Sequence, residues 1–158
     1  DPTTPADWHV HVPPIDLPDE TVGEIYAGHL LEHLHPVEAD ELLRECLRVL
    51  VPGGRLGVVV PDTRAAQAHY LRRTGERVEV PQGTFWELDD LDAVNAVFLY
   101  STFQESPHRW SYDELTLPRA LTRAGIEVGQ PIDRYGDPRR SSSNFWSLGF
   151  DAFKPQVG

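Results

Sequence analysis

Side chains that can transfer protons or bind metal ions are concentrated between residues 29 and 35, where the sequence reads HLLEHLH. On an α-helix, His29 and His33 would lie four residues apart on one face, with the Glu32 carboxylate beside them. Two imidazoles and a carboxylate in that arrangement could bind zinc and supply a general base. A zinc hydrolase that uses His29, Glu32 and His33 is therefore one hypothesis for this chain.

A structural explanation of the same segment is favoured over the zinc site. The H-x-x-E-H spacing is that of inverted zinc peptidases, but the match is short and a third ligand would have to come from a distant carboxylate. In the simpler interpretation, the three leucines of the segment pack inward. Glu32, His33 and His35 then sit at a turn that joins a strand to a helix, and no residue is assigned as a metal ligand.

Three other groups of polar residues also have simpler explanations. His9 and His11 alternate along a predicted strand, Trp8–Val12, where they could be metal ligands but are more often only solvated. Paired acidic residues can act as general acid and base. The proline-rich loop lacks the group of apolar residues that would surround its three acidic residues, Asp16, Asp19 and Glu20. They are best explained as ionised surface groups. No G-x-S-x-G segment surrounds Ser111 or the serines of 141–143, so a serine hydrolase has little support.

The clearest secondary structure is a βαβ unit. Pro36 suits a first helical turn, and apolar residues recur at steps of three and four over 39–50, which predicts an amphipathic helix. The VPGG segment at 51–54 should form a tight turn rather than a phosphate cradle, because phosphate-binding glycines lead from a strand into a helix. The run Leu56–Val60 is typical of a strand buried on both faces, and Ile25–Ala27 is a candidate strand before the helix.

The later part of the chain gives weaker signals. Helices are predicted over three segments: Thr63–Arg73, Leu88–Phe103 and Tyr112–Ala124. Gly125 is a natural C-terminal stop for the last of them. Strands are predicted at Ile126–Val128 and Trp146–Phe153. Strands that alternate with helices favour an α/β fold.

Composition and charge exclude several classes of protein. The chain has 158 residues, enough for one domain. It has no apolar stretch near the roughly 18 residues that a membrane-spanning helix needs. Acidic residues outnumber basic ones 25 to 14, and the formal net charge of -11 would repel nucleic acid. The single cysteine, Cys46, excludes an internal disulfide. We therefore expect a cytoplasmic protein with no nucleic-acid and no membrane partner.

A series of motifs gives a more specific indication. Between residues 17 and 62 the sequence carries, in order, LPDETV, EIYAGHLLEHL, LRECLRVLVPGGRL and VVVPD, and WSYDEL and AFKP follow later. This series resembles the class I S-adenosylmethionine-dependent methyltransferases, closest to the small "type 11" group. The resemblance implies a Rossmann-like three-layer sandwich with a mostly parallel sheet. It also implies a single methyltransferase-like domain over residues 1–158.

The resemblance implies a cofactor site at the carboxyl ends of the strands, with S-adenosylmethionine as the cofactor. The implied cofactor-binding residues are Asp1, Val12, Pro13, Ala27, Gly28 and His29. Asp1 would bind the ribose, Val12 and Pro13 would flank the adenine, and residues 27–29 would pass beneath the methionine end. The family's G-x-G turn has no counterpart in this chain. We therefore expect that strand one and the glycine loop are missing upstream, because a sheet without its central strand would leave buried backbone groups unpaired.

Methyl transfer depends mainly on in-line placement of the acceptor, but a hydroxyl acceptor would also need a base. The candidate catalytic residues are His29, His33 and Asp62. The acceptor pocket would draw on a variable insertion, Phe85–Trp110, in which four side chains could line the pocket or belong to the core: Trp86, Tyr100, Arg109 and Trp110.

The sequence therefore favours an enzyme that transfers a methyl group from S-adenosylmethionine to a small-molecule or sugar-like acceptor. The alternative is a methyltransferase-like module that binds without catalysis, and the zinc hydrolase ranks third. The acceptor atom is left open, and so is the oligomeric state, for which a homodimer is one alternative.

Overall fold

The computed structural model describes residues 14–72, 78–79, 87–88, 108–132 and 147–156. The strands in these ranges are β1 (Val22–Gly28), β2 (Leu50–Pro61), β3 (Val78–Glu79), β4 (Glu87–Leu88), β5 (Glu127–Pro131) and β6 (Ser147–Phe153). The helices are α1 (Pro36–Val49), α2 (Thr63–Arg72) and α3 (Thr116–Arg123), with a short 3-10 turn at Leu31–His33. In the described part of the chain, no helix has the length and apolar character that crossing a bilayer requires.

The main sheet is open and mixed, with the strand order β1-β2-β6-β5, while β3 pairs with β4 separately. β1 runs parallel to β2, with Ile25 opposite Leu56 and Gly28 opposite Val59. β6 is antiparallel to both β2 and β5. The order strand, helix, parallel strand confirms the βαβ unit, and the sheet with its helices is the expected Rossmann-like α/β fold.

The core lies between the helices and the sheet. The predicted apolar stripe of α1 is buried, and Leu42 and Leu43 are only 3% and 1% exposed. α3 contributes Leu117 and Leu121, and its three buried residues join the same cluster as the stripe of α1 and the centre of β2. Five consecutive residues of β2, 56–60, include four side chains with no exposed surface, so this strand is covered on both faces as predicted.

β2 is longer than the predicted strand Leu56–Val60, and the tight turn expected at 51–54 is part of it. The Gly53 N–H donates to the Lys154 carbonyl at 2.9 Å, and the Lys154 N–H donates to the Gly54 carbonyl at 3.0 Å. The positive φ of 76° expected of a glycine here is present at Gly53. Hydrogen bonds to the residue after β6 thus make the two glycines part of the sheet. Between the pairs Val22–Leu50 and Glu24–Arg55 the register of β1 with β2 is shifted, as in a β-bulge.

The predicted helix Tyr112–Ala124 begins four residues late, at Thr116. Tyr112 instead forms an isolated parallel bridge with Asp62. The Asp113 carboxylate accepts hydrogen bonds from the N–H groups of Leu115 and Thr116, which fixes the helix start after Tyr112. The helix ends as predicted, because Gly125 has a φ of 91° and the N–H of Ile126 donates to the Leu121 carbonyl, as in a Schellman motif.

The remaining predicted elements are confirmed, differ at their ends or lie outside the described residues. α2, β5 and β6 correspond to the predictions Thr63–Arg73, Ile126–Val128 and Trp146–Phe153, with ends shifted by one to three residues. Leu88, the first residue of the predicted helix Leu88–Phe103, lies in β4, and the rest of that helix is outside the described residues. The predicted strand Trp8–Val12 is outside them as well.

The loop before β1 is held on α1 by Arg48. Its guanidinium donates to the carbonyls of Ile15 and Leu17 and contacts the carboxylates of Asp19 and Glu45. The Ile15 N–H also donates to the Glu45 carboxylate. The Arg48 guanidinium and this backbone N–H lower the pKa of Glu45 from 4.5 to about 2. The loop therefore enters β1 from a fixed direction.

We predict that Leu117→Ala lowers the free energy of unfolding by about 2–5 kcal/mol, because it leaves a cavity at a fully buried site of α3. Urea unfolding measures the change. Leu115→Ala, two residues away and 55% exposed, is the matched control and should change stability by less than about 0.5 kcal/mol. Equal losses for the two variants would contradict the packing of α3 on α1 and the sheet.

We also predict that Glu45→Gln makes stability less dependent on acid pH. The pKa of Glu45 is lower in the folded chain than its ordinary 4.5, so its contribution is present above pH 4.5 and is lost as the pH falls toward 2. Unfolding free energies of the parent and the variant should differ by about 1 kcal/mol near neutral pH, given the partial solvation of the pair, and converge toward pH 2. Glu41→Gln replaces an exposed acid on the same helix and is the control. The difference in unfolding free energy between this variant and the parent should not change in this way between neutral pH and pH 2.

Candidate functional site

The carboxylate of Glu32 is the centre of a polar cluster beyond the carboxyl end of β1. Glu32 lies in the 3-10 turn and is 1% exposed. Its Oε1 atom is 3.1 Å from His29 Nδ1 and 3.9 Å from His33 Nε2. Its Oε2 atom is buried without a hydrogen-bond partner among the described residues. The sequence placed Glu32 correctly at the turn between strand and helix, but gave no sign that its carboxylate is buried.

His29 is held by three contacts at the point where β1 ends. Its N–H donates to the Val59 carbonyl at 2.8 Å, which continues the parallel ladder with β2 by one residue. Its Nδ1 faces Glu32 and its Nε2 lies 3.2 Å from the Ser147 hydroxyl. A ring that donates from Nδ1 to a carboxylate keeps an acceptor lone pair at Nε2. In the neutral ring these contacts favour the tautomer that carries its proton on Nδ1, with Nε2 facing the Ser147 hydroxyl.

The backbone of His29 adopts a left-handed conformation, with a φ of 53°. Histidine is among the few non-glycine residues that occur in this region, and strained residues of this kind are concentrated at functional sites. The turn at His29 ends β1 and is followed by the 3-10 turn, which places the Glu32 carboxylate beside the His29 imidazole. The α-helical face that the zinc-hydrolase hypothesis required of His29 and His33 is therefore not formed, because residues 29–30 are not helical and the 3-10 turn starts at Leu31.

The ring of Tyr26 lies against the backbone of Gly28. A Cβ atom at position 28 would lie 2.6–2.9 Å from three atoms at the far end of the Tyr26 side chain, so the ring would have to move. Tyr26 also lies over Gly57, its partner in the register with β2. The space that a side chain would take at position 28 is therefore occupied by an aromatic ring that is 38% exposed. Ala27, the other implied residue of this strand end, is buried at 6% exposure.

The segment 108–110 is attached to the 3-10 turn by its backbone. The N–H groups of Arg109 and Trp110 both donate to the Glu32 carbonyl, at 2.7 and 3.1 Å. This attachment sets the ring of His108 against that of His33, with centroids 4.8 Å apart in an edge-to-face arrangement. The atoms of Glu32, His33 and His108 that can bind a metal all lie within 4.8 Å of one another. Trp110, half of whose surface is exposed, and Arg109 border this cluster.

Asp62, a predicted catalytic residue, caps a helix in this structure. Its Oδ1 atom accepts a hydrogen bond from the Ala65 N–H at 2.9 Å at the start of α2. Tyr112 and Cys46 are poor candidates for proton transfer or nucleophilic attack. Burial raises the pKa of each to about 12, helped by the negative charge of Glu32 at Tyr112 and of Glu45 at Cys46, so both stay protonated near neutral pH.

The structure brings together some of the predicted site residues and leaves others undescribed. His29 and His33 lie beside the Glu32 carboxylate, Gly28 precedes His29 at the end of β1, and Asp62 caps α2. The predicted residues outside the described ranges are Asp1, His9, His11, Val12, Pro13, Trp86 and Tyr100. Ser147 and His108 were missed, because they reach the cluster only through strand register and through the backbone bonds of 109–110, which no local sequence pattern records.

Comparison with known proteins gives a family match over part of the chain. Residues 7–58 match the model of a methyltransferase domain family. The match covers the predicted motifs from the proline-rich loop through the start of the VVVPD run, including Gly28, His29 and Glu32. No curated protein matches the chain.

Solved structures share the fold at low sequence identity. A SAM-dependent methyltransferase from Methanosarcina mazei has a TM-score of 0.54 at 17% identity, over 90% of this chain and 64% of that chain. The 1,6-didemethyltoxoflavin-N1-methyltransferase of Burkholderia thailandensis, solved with bound 1,6-didemethyltoxoflavin and S-adenosylhomocysteine, has a TM-score of 0.50 at 17% identity, over 89% of this chain and 48% of that chain. The chain therefore spans about half to two thirds of the length of these structures.

The family model and the shared fold confirm the resemblance found in the sequence. The matched segment contains β1 with the glycine at its end, α1 and β2 as far as Val58. The methyltransferase family model thus matches residues 7–58, about a third of the chain, and the solved structures share the fold over most of its length.

Proposed function

We propose that this chain takes part in methyl transfer from S-adenosylmethionine to a small-molecule or sugar-like acceptor that carries a hydroxyl group. The observation that supports this most is the His29–Glu32 pair at the carboxyl end of β1, inside the segment that matches the methyltransferase family. Ligands of open α/β sheets bind outside the carboxyl ends of their strands. The pair is thus positioned where the family resemblance puts the reacting end of the cofactor.

The described part of the cofactor site fits the cofactor's methionine end. When bound, S-adenosylmethionine supplies an electrophilic methyl group. Gly28 offers a backbone without a side chain, and a side chain there would collide with Tyr26. Residues 27–29 would lie beneath the methionine, as the resemblance implies, and Asp1, Val12 and Pro13 would hold the ribose and adenine.

His29 is the proposed general base. The acceptor hydroxyl would replace Ser147 as the partner of His29 Nε2 and pass its proton to that atom, while the hydroxyl oxygen keeps the bonding electron pair. The buried carboxylate of Glu32 would orient the ring through Nδ1 and stabilise its positive charge after the transfer. Asp62 is a weaker candidate because its carboxylate already caps α2. His33 is weaker because its Nε2 atom lies 3.9 Å from Glu32 Oε1, compared with 3.1 Å for His29 Nδ1.

The acceptor would bind beside the segment 108–110, whose backbone is attached to the Glu32 carbonyl. Trp110 offers an aromatic surface and Arg109 a positive charge, so a planar or sugar-like molecule with an oxygen substituent suits this edge. This placement supports the proposal that 85–110 is the acceptor-side insertion.

We predict that Gly28→Ala weakens S-adenosylmethionine binding by more than about 10-fold, because the new methyl group and the displaced Tyr26 ring obstruct the end of β1. Calorimetry on the full-length protein measures the dissociation constant. Gly23→Ala, in the same strand but with open space at its Cβ position, is the matched control and should bind like the parent. No heat from the parent at millimolar ligand would eliminate the enzyme proposal.

We further predict that His29→Asn lowers kcat by about 10²–10⁴-fold and leaves the affinity for S-adenosylmethionine nearly unchanged. Asparagine tolerates the left-handed backbone, so the turn should persist, whereas the proton acceptor is removed. Release of S-adenosylhomocysteine, measured over a panel of hydroxylated small molecules, reports the rate. Full turnover by the variant would exclude His29 as the base. Cofactor binding without turnover on any acceptor would favour the non-catalytic module.

A further inference from the structure

We propose that Glu32, His33 and His108 form a binding site for one zinc ion. The proposal concerns a different set of residues from the His29 and His33 pair suggested by the H-x-x-E-H spacing, and it does not depend on methyl transfer. The three side chains offer two imidazole nitrogens and one carboxylate oxygen within 4.8 Å of one another. Two histidines and a glutamate are a donor set that zinc accepts, with one position left open.

The state of the Glu32 carboxylate is a second, independent indication of a ligand. Its side chain is 1% exposed, and its Oε2 atom has no hydrogen-bond partner among the described residues. Burying a carboxylate oxygen without a partner is costly, and a bound cation would remove that cost. Its Oε1 atom lies 3.1 Å from His29 Nδ1 and 3.9 Å from His33 Nε2, and a carboxylate can offer either oxygen to an ion.

The cluster is also held together before any ion arrives. Glu32 and His33 are neighbours in the 3-10 turn. His108 is fixed beside them because the next two residues donate their N–H groups to the Glu32 carbonyl. Ligands that share a tetrahedral zinc ion lie about 3.4 Å apart, so side-chain movements of about 1 Å would close the site. His29 would act behind Glu32 by orienting its carboxylate, as outer-shell groups do at metal sites.

Three protein ligands would leave the fourth position of a tetrahedral ion open. A water molecule or an oxygen atom of an acceptor would fill it. Nitrogen ligands favour zinc and its transition-metal neighbours over magnesium, so an excess of magnesium should not displace the ion.

The test uses the full-length protein purified without a polyhistidine tag. Metal-free protein is titrated with zinc by calorimetry, and with cobalt, whose visible absorption bands report tetrahedral nitrogen and oxygen ligands. We expect one ion per chain, a higher melting temperature with zinc, and cobalt bands that zinc removes. Absence of stoichiometric zinc binding in the parent protein would overturn the proposal.

Variants locate the site. His108→Ala and Glu32→Gln should each weaken zinc binding by more than about 10-fold, with His33→Ala as a further variant if the buried Glu32→Gln protein does not fold. His35→Asn, at the exposed start of α1, and the double variant His9→Ala/His11→Ala are the controls and should bind like the parent. Zinc binding that survives in His108→Ala and His33→Ala, or that is lost in a control, would contradict the assignment.

Discussion

Burial of the Glu32 carboxylate is the constraint on which the geometry beyond β1 depends. A carboxylate taken out of water needs partners, and removing the partner of a buried charge typically costs several kcal/mol. The Glu32 carboxylate lies 3.1 Å from His29 Nδ1 and 3.9 Å from His33 Nε2. The Glu32 backbone carbonyl accepts the hydrogen bonds that hold the segment 108–110. Through His29, the cluster also reaches Ser147 at the start of β6. Glu32, in part through His29, therefore connects three separate parts of the chain: residues 29–33, the segment 108–110 and the start of β6.

This arrangement supports the role proposed for the end of β1. The parallel ladder with β2 extends to the His29 N–H and fixes where β1 stops, and the left-handed turn at His29 then aims the imidazole back toward Glu32. Because Gly28 has no side chain, the Tyr26 ring can lie against this strand end. One oxygen of the Glu32 carboxylate lies near both His29 and His33, and the other is buried without a partner among the described residues.

The sequence was sufficient for the parts of the structure that local patterns determine. Proline at the start of α1, its apolar stripe and the β-branched run of β2 agree with one another, and the βαβ unit was predicted, with the helix nearly to the residue and both strands too short. Tyr112 was predicted in a helix because its own segment is helix-compatible, but its bridge to Asp62 and the cap at Asp113 are decided by tertiary contacts. Burial of Glu32 and the approach of Ser147 and His108 likewise depend on contacts distant in sequence. The family motifs indicated the region of the site, and the fold was needed to show its connections.

The most direct measurement of the central claim is a crystal structure of the full-length protein with S-adenosylhomocysteine. The account predicts that the amino-acid end of the ligand lies against the backbone of Gly28 and His29, and that the His29 ring remains on Glu32 with its Nε2 atom turned toward the sulfur side. A ligand bound away from the end of β1, or a His29 ring directed away from Glu32 into the protein, would contradict it.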